Sequence, residues 1–376
     1  MKRFFGLLAL SMTLLSCAGK FDEVVLFPES DFTAEIDGKP VSIYTLKSGD
    51  IVMQVTNFGA RVVSLWTPDR NGHYEDVVLG YNNIGSYTDN PGERFLGSVV
   101  GPYANRIANG TYTIGEETYY FPQNDHGQTL HGGLKGLDMV VWDVESVTED
   151  KIVLTYLCPD GQDGMPGNRN IRMTYALTPD NEFRIDYLAE TDKATHMNIS
   201  HHSFFNLKGE GNGTILDNVM VINASHTTPV NELLIPTGEI ADVTGTPFDF
   251  REPHVIGERI GADDQQLKNG GGYDHNWVLD VKPCDCELGF AASVLEPASG
   301  RFLEVFTDQP AMQFYSGNFF DGTKVGKYGK TMNYRESFAL ETQKYPDTPN
   351  QPAFPSTLLN PGEKYTHVCV YKFSVK

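Results

Sequence analysis

Positive charge is scarce in this chain. Its 376 residues carry 29 Lys and Arg against 49 Asp and Glu, a formal net charge of −20. Phosphate binding needs clustered basic side chains, so a nucleic-acid partner is not expected. No basic amphipathic segment is available to lie on a membrane surface, and the dispersed acidity reads as a solubilising exterior. Cysteine is also sparse, at five residues. Cys284 and Cys286 are too close for an easy unstrained disulfide, and no second pair stands at zinc-ligand spacing. Cys158, Cys284, Cys286 and Cys369 therefore read as incidental, with a bridge in an oxidising exterior as the alternative. Sustained helical periodicity with caps is missing, as is any Ser/Gly linker or charge block that would divide the chain.

The hydrophobic content is 40%, with 11% aromatic residues, enough for a large core. The first residues stand apart from it. Lys2 and Arg3 precede an apolar stretch from Phe4 to Leu15, too short to span a bilayer and followed by small residues, as in a secretory signal. Leu14-Leu15-Ser16-Cys17 resembles a bacterial lipobox, which implies a signal peptide over 1–16 and lipidation of Cys17. Residues 17–36 then read as a lipidated, acidic spacer, and 37–376 as a single domain. The expected location is the bacterial cell envelope, with the membrane touched only through the anchor. Replacing Cys17 should release the protein into the soluble fraction.

From Pro40 onward the pattern is β. Val41 to Leu46, Ile51 to Thr56 and Arg61 to Trp66 are short runs rich in branched and aromatic residues, broken by turn signals such as Pro68-Asp69-Arg70-Asn71-Gly72. Asn170 to Leu177 and Phe183 to Glu190 flank Pro179-Asp180-Asn181 as a hairpin. Phe290 to Leu295, Arg301 to Thr307, Met312 to Tyr315, Ser337 to Thr342 and Thr366 to Val375 continue the style. The fold class is all-β, with stacked and mainly antiparallel sheets. Three longer irregular stretches, Tyr81 to Arg94, Pro122 to Gly136 and Tyr345 to Ser356, are candidates for function.

Several residues could carry chemistry. In Asn198 to Leu207 two histidines are adjacent; if the segment is extended, His201 and His202 face opposite ways. One imidazole can then face a site and the other the opposite side of the sheet, although a structural, hydrogen-bonded pair is the plainer reading. Asn105 and Arg106 beside Tyr103 offer fixed donors and a flat face suited to a sugar. His131 precedes Gly132 and Gly133, where backbone can approach a ligand closely. Asp274 follows three glycines at the start of a strand. Glu341 sits in an apolar strand, where a carboxylate must be paired or put to use.

Taken in order, these pieces resemble the aldose 1-epimerase (mutarotase) family of the galactose mutarotase type, from about Val41 to Phe373. The resemblance rests on Tyr103-Ala104-Asn105-Arg106-Ile107-Ala108-Asn109-Gly110, Leu130-His131-Gly132-Gly133, His202-Ser203-Phe204-Phe205-Asn206-Leu207, Gly245-Thr246-Pro247-Phe248-Asp249-Phe250, Tyr273-Asp274-His275-Asn276 and Leu340-Glu341-Thr342-Gln343. It implies a β-supersandwich and interconversion of the α and β anomers of free aldohexoses such as glucose and galactose. By the same resemblance Glu341 is the general base and His202 the general acid, while Asn105, Arg106, His131, Asp274 and Gln313 hold the sugar. His201 stands where the family usually has Asn, and Gly101-Pro102 before the Tyr block is unusual, which leaves sugar preference open.

Opening a hemiacetal needs a base for the anomeric hydroxyl proton and an acid for the ring oxygen. From ordinary values, about 4.3 for Glu and 6.5 for His, Glu341 is expected ionised, and His202 protonated if a carboxylate supports it. No cofactor is required. Carboxylate-rich loops offer oxygen ligands for a structural calcium, without EF-hand spacing. The expected partner is a free aldohexose, and the chain a monomer. A glycoside hydrolase using Asp274 with Glu341, or a non-catalytic sugar-binding protein, are the alternative readings.

Overall fold

The structure is a computed structural model that describes residues 21, 23–89, 93–281 and 288–376. Cys17, Cys284 and Cys286 lie outside the described residues. Strict alternation builds the largest sheet. Along Arg169–Leu177 and Glu182–Thr191, Ile171, Met173, Tyr175, Phe183, Ile185 and Tyr187 are buried, while Arg172, Arg184 and Asp186 between them are not. That period of two puts one face on the core and the other toward water. The two strands pair antiparallel with Leu177 opposite Phe183. Asn181 takes a left-handed conformation in their turn (φ 61°), a shape that Asn tolerates well.

This sheet has nine strands, in the spatial order Asp143–Val147, Lys151–Cys158, Arg169–Leu177, Glu182–Thr191, Tyr365–Val375, Arg301–Thr307, Gly289–Leu295, Val219–Ile222 and His254–Val255. Tyr365–Val375, the last strand in sequence, takes the central place between Glu182–Thr191 and Arg301–Thr307 and joins the two halves of the sheet. A four-stranded sheet contains Ile43–Ser48, Ile51–Thr56, Arg61–Pro68 and Tyr74–Asp76. A five-stranded sheet runs Ala241–Asp242, His226–Thr228, Asp274–Val278, Ala311–Tyr315, Ala339–Gln343. The named pairings in all three are antiparallel, as the sequence predicts. One continuous core includes Trp142, Tyr175, Phe183, Trp277, Phe314 and Tyr371. Burying a side chain of this kind typically stabilises by about 1.5–3 kcal/mol.

The described helices are short: Ile84–Thr88, Ile256–Arg259 and Gln265–Gly270. Asn83 and Asp264 cap the first and third by accepting backbone N–H bonds. The second half of the stretch read as a spacer (17–36) is folded onto the body. Phe32 is fully buried, Phe27 stacks on Tyr328 with centroids 5.7 Å apart, and Ala34–Ile36 pairs with Lys39–Val41. Two phenylalanines in an acidic segment are enough to anchor it.

Candidate active site

Strand register assembles one wall of the site. Gln313 lies directly opposite Glu341 on one side and Asn276 on the other. Asp274, two residues from Asn276, shares that face. The intervening residues Trp277, Phe314 and Leu340 point the other way, into the core. These three strands are therefore buried on both faces, apolar side chains toward the core and polar ones toward the site. Gln313 Nε2 donates to Asp274 Oδ1 at 2.7 Å and fixes that carboxylate.

The second wall comes from Ser200–His202, which pairs with Ser98–Val100. Ser200 Oγ donates to the Thr342 carbonyl at 2.9 Å, and Phe205 and Phe338 exchange backbone bonds of 2.7 and 2.9 Å. These links hold the histidine strand beside that of Glu341. Alternation then separates the two imidazoles. His201 faces the core, with Nδ1 3.1 Å from the Tyr175 hydroxyl and Nε2 2.7 Å from Ser203 Oγ. His202 faces a cavity, stacked between Phe204 (4.6 Å) and Phe95 (6.0 Å). His202 Nε2 is 3.4 Å from Glu341 Oε1.

The third wall is a pair of strained turns. Asn105 and His131 both have positive φ, 63° and 51°, and hold each other. The Asn105 N–H donates to His131 Nδ1 at 3.0 Å, and the His131 N–H donates to the Asn105 carbonyl at 3.1 Å. A Cβ on Gly132 would collide with the Gly101 carbonyl, so glycine is required there. Gly101-Pro102, the departure noted in the sequence, is a cis peptide. Arg106 Nε donates to Asp125 Oδ2 at 2.7 Å, which orients the guanidinium. Behind it, the Asp347 N–H donates to the Arg106 carbonyl at 3.0 Å. Two of the three irregular stretches thus line the cavity and the third braces it.

All seven expected chemical residues except Gln313 line one cavity of about 860 Å³, and Gln313 touches it through Asp274. Sequence reasoning missed Glu93, Phe95 and Tyr315 in the same lining. Only the irregularity of the Tyr81 to Arg94 stretch hinted at Glu93, whose carboxyl burial pushes up to about 7.

The charge states differ from the sequence expectation. Burial raises Glu341 well above the usual carboxylate range, Asp274 adds to this, and Arg106 opposes it. Burial likewise lowers His202 to about 3. The pair therefore favours an uncharged carboxyl beside a neutral imidazole, instead of carboxylate and imidazolium. Both descriptions hold the same single proton, so the site keeps its capacity to transfer it. Burial also holds His131 well below 6.5, with His202 and Arg106 adding to the effect.

His131, His202 and Glu341 offer three ligand atoms within 4.8 Å of one another. His131 Nδ1, however, accepts the Asn105 N–H, so the neutral ring carries its hydrogen on Nε2. That tautomer suits donation to a sugar oxygen better than binding of a cation.

A polar cavity in an all-β supersandwich, floored by a proton-sharing carboxyl–imidazole pair and walled by Arg, Asn and Asp, defines a carbohydrate-binding acid–base enzyme. The sequence family described as aldose 1-epimerase matches residues 42–372. The chain is 40% identical to the galactose mutarotase of Rattus norvegicus over 338 residues, 90% of this chain and 95% of that one. It is 35% identical to the aldose 1-epimerase of Escherichia coli K12, over 90% of this chain and 96% of that one. Among solved structures, the galactose 1-epimerase of Lactobacillus acidophilus superposes with a TM-score of 0.79 at 29% identity, covering 92% of this chain and 97% of the other. The protein belongs to the aldose 1-epimerase family.

Proposed function

We propose that this protein interconverts the α and β anomers of free aldohexoses by opening and reclosing the pyranose ring. The observation that carries this reading is the 3.4 Å approach of His202 to Glu341 on the floor of a polar cavity. The two oxygens of a hemiacetal share one carbon, so two groups this close can serve both. One group takes the proton of the anomeric hydroxyl while the other protonates the ring oxygen. The open aldehyde rotates about its bond to the next carbon and recloses on the other face, with the two roles exchanged. Because the pair carries one proton, each passage returns it ready for the reverse one. Arg106, with Nε committed to Asp125, and the Nε2–H of His131 stabilise charge developing on the sugar oxygens, while Asp274, held by Gln313, orients its hydroxyls. None of these transfers needs a cofactor.

The test is the optical rotation of freshly dissolved α-glucose and α-galactose, with and without the protein. Accelerated mutarotation is the expected result. Release of reducing ends from a glycoside without acceleration would establish a hydrolase, and saturable binding alone a sugar-binding module. The signal-like leader and Cys17 support action on sugars outside the cytoplasm, from a lipid tether; the Cys17 variant described above tests this by fractionation.

A further inference from the structure

Among the described residues outside the cavity lining, Arg61, Arg169 and Arg301 are buried. Arg301 donates from Nε, Nη1 and Nη2 to the carbonyls of Thr67, Leu207 and His73, at 3.2, 3.0 and 2.8 Å. Arg61 donates to the carbonyls of Arg94, Leu96 and Asp138 at 2.7, 3.0 and 2.9 Å. The buried Asp138 carboxylate stands 3.8 Å from it as a counter-charge. Arg169 differs from both. It is fully buried, yet only Nη2 is engaged, donating to the Pro159 carbonyl at 2.8 Å. Its Nε and Nη1 have no hydrogen-bond partner among the described residues. A buried charge lacking both counter-charge and hydrogen bonds is costly for a core to hold.

Alternation fixes where this guanidinium lies. Arg169 opens the strand Arg169–Leu177 on the same face as Ile171 and Met173, with Cys158 and Thr191 opposite it on the flanking strands. Burial pushes the adjoining Cys158 thiol up to about 11, so it stays neutral and supplies no counter-charge. The exposed Asp192 carboxylate feels the Arg169 charge, but its oxygens accept the Asn168 backbone N–H and Nδ2, both at 2.7 Å. Tyr112 also feels that charge, and its hydroxyl lies beside the Thr195 side chain. The Tyr112 ring is fixed by His196 and Phe121, with centroids 4.8 and 4.6 Å away, and Thr195 by its pairing with Leu359. Tyr112 Oη and Thr195 Oγ1 are buried, and neither completes a hydrogen bond among the described residues. Burial pushes the phenol up to about 12, so it keeps its proton for donation.

We propose that Arg169, Tyr112 and Thr195 enclose a buried binding site for one chloride ion. The guanidinium nitrogens can only donate, and the two hydroxyls are free to do so, which gives four protons and no matching acceptor. A single positive charge selects a monovalent anion, since sulfate or phosphate would carry surplus negative charge into the core. Water would accept from some of these donors and leave the charge uncompensated. The ion joins three segments distant in sequence: the end of the nine-stranded sheet, the hairpin of Thr111–Ile114 with Glu117–Tyr120, and the strand Thr195–His196. It is independent of the mutarotase reading, because none of its residues lines the cavity.

The experiment has a crystallographic and a solution arm. Crystals of the native chain grown in sodium bromide should show an anomalous peak within about 3.5 Å of Arg169 Nε and Nη1, and Arg169→Leu should lack it. In solution, sodium gluconate replaces chloride at constant ionic strength. The native melting temperature should rise by about 2 °C or more between about 5 and 200 mM chloride, and that of Arg169→Leu should not. Tyr112→Phe keeps the ring and removes one donor, so it should raise the half-effective chloride concentration about tenfold. Should Arg169→Leu not fold, the native bromide peak and Tyr112→Phe decide the matter. Ordered water in place of the bromide peak overturns the proposal. A peak without chloride-dependent melting marks an adventitious ion only and overturns it too. Chloride dependence retained by Arg169→Leu, or unchanged in Tyr112→Phe, puts the ion elsewhere with the same consequence.

Discussion

Two groups of buried ionisable side chains can be set side by side in this molecule, one sealed and one open. Lys327 is wholly buried, and its Nζ donates to Asp76 Oδ2 and the Val63 carbonyl, both at 2.6 Å, and to the Val78 carbonyl at 2.8 Å. Each ammonium proton has an acceptor, which compensates for lost hydration. Glu210 approaches the same nitrogen at 3.2 Å, and burial pushes its carboxyl up to about 8. In the sealed cluster only the peripheral Glu210 oxygens lack a hydrogen-bond partner among the described residues, whereas around Glu341 the central group itself is incomplete, its Oε2 having none. Both clusters are buried and both shift proton equilibria. What separates scaffold from site is whether the central group is satisfied by protein alone or left facing a cavity.

The most severe way to break this comparison is Glu341→Gln. It should reduce turnover by roughly 10²–10⁴-fold while sugar still binds, since the amide keeps the shape and loses the proton transfer. The melting temperature should hold or rise, because an awkwardly buried acid has been removed. A near-native rate would show that Glu341 takes no part in the proton transfer. Next comes Lys327→Met, which leaves Asp76 buried beside an apolar chain. Unfolding in denaturant should show a loss of about 3–5 kcal/mol, with turnover per folded molecule unchanged. Unaltered stability would contradict the sealed-cluster account.

A third test is the pH dependence contributed by Glu210. Its folded value, about 8, stands above its ordinary value of 4.5. Between those values the unfolded chain has released a proton that the folded chain retains. The stabilisation is therefore complete below 4.5 and is lost as pH rises through about 8. Glu210→Gln should flatten the fall in melting temperature between about pH 5 and 8. Identical slopes for variant and native protein would reject this assignment.

The strands with strict alternation were legible in the sequence, and Ile51–Thr56 and Arg301–Thr307 occur with the bounds expected. Glu341 was legible for a related reason, as a charge in an apolar strand. Its approach to His202 was not, because it depends on contacts such as Ser200 to Thr342, between segments far apart in the chain. The strands Ser98–Val100 and Val219–Ile222 are too short to show a pattern. Protonation was misjudged because ordinary values apply in water, and water is largely excluded from Glu341 and His202. Phe27 and Phe32 were overlooked because the acidic residues around them set the impression of the segment.

The opposed outlook of His201 and His202 makes the enzyme sensitive to parity. Deleting one residue just upstream of Ser200, with the strand pairing otherwise kept, would rotate the sequence half a period. The imidazole now beside Tyr175 would then be offered to the sugar, and the present proton carrier would be walled in among aromatic rings. Evolution can lengthen the outer loops of such a protein at little risk, but along this strand length changes are safe only in twos.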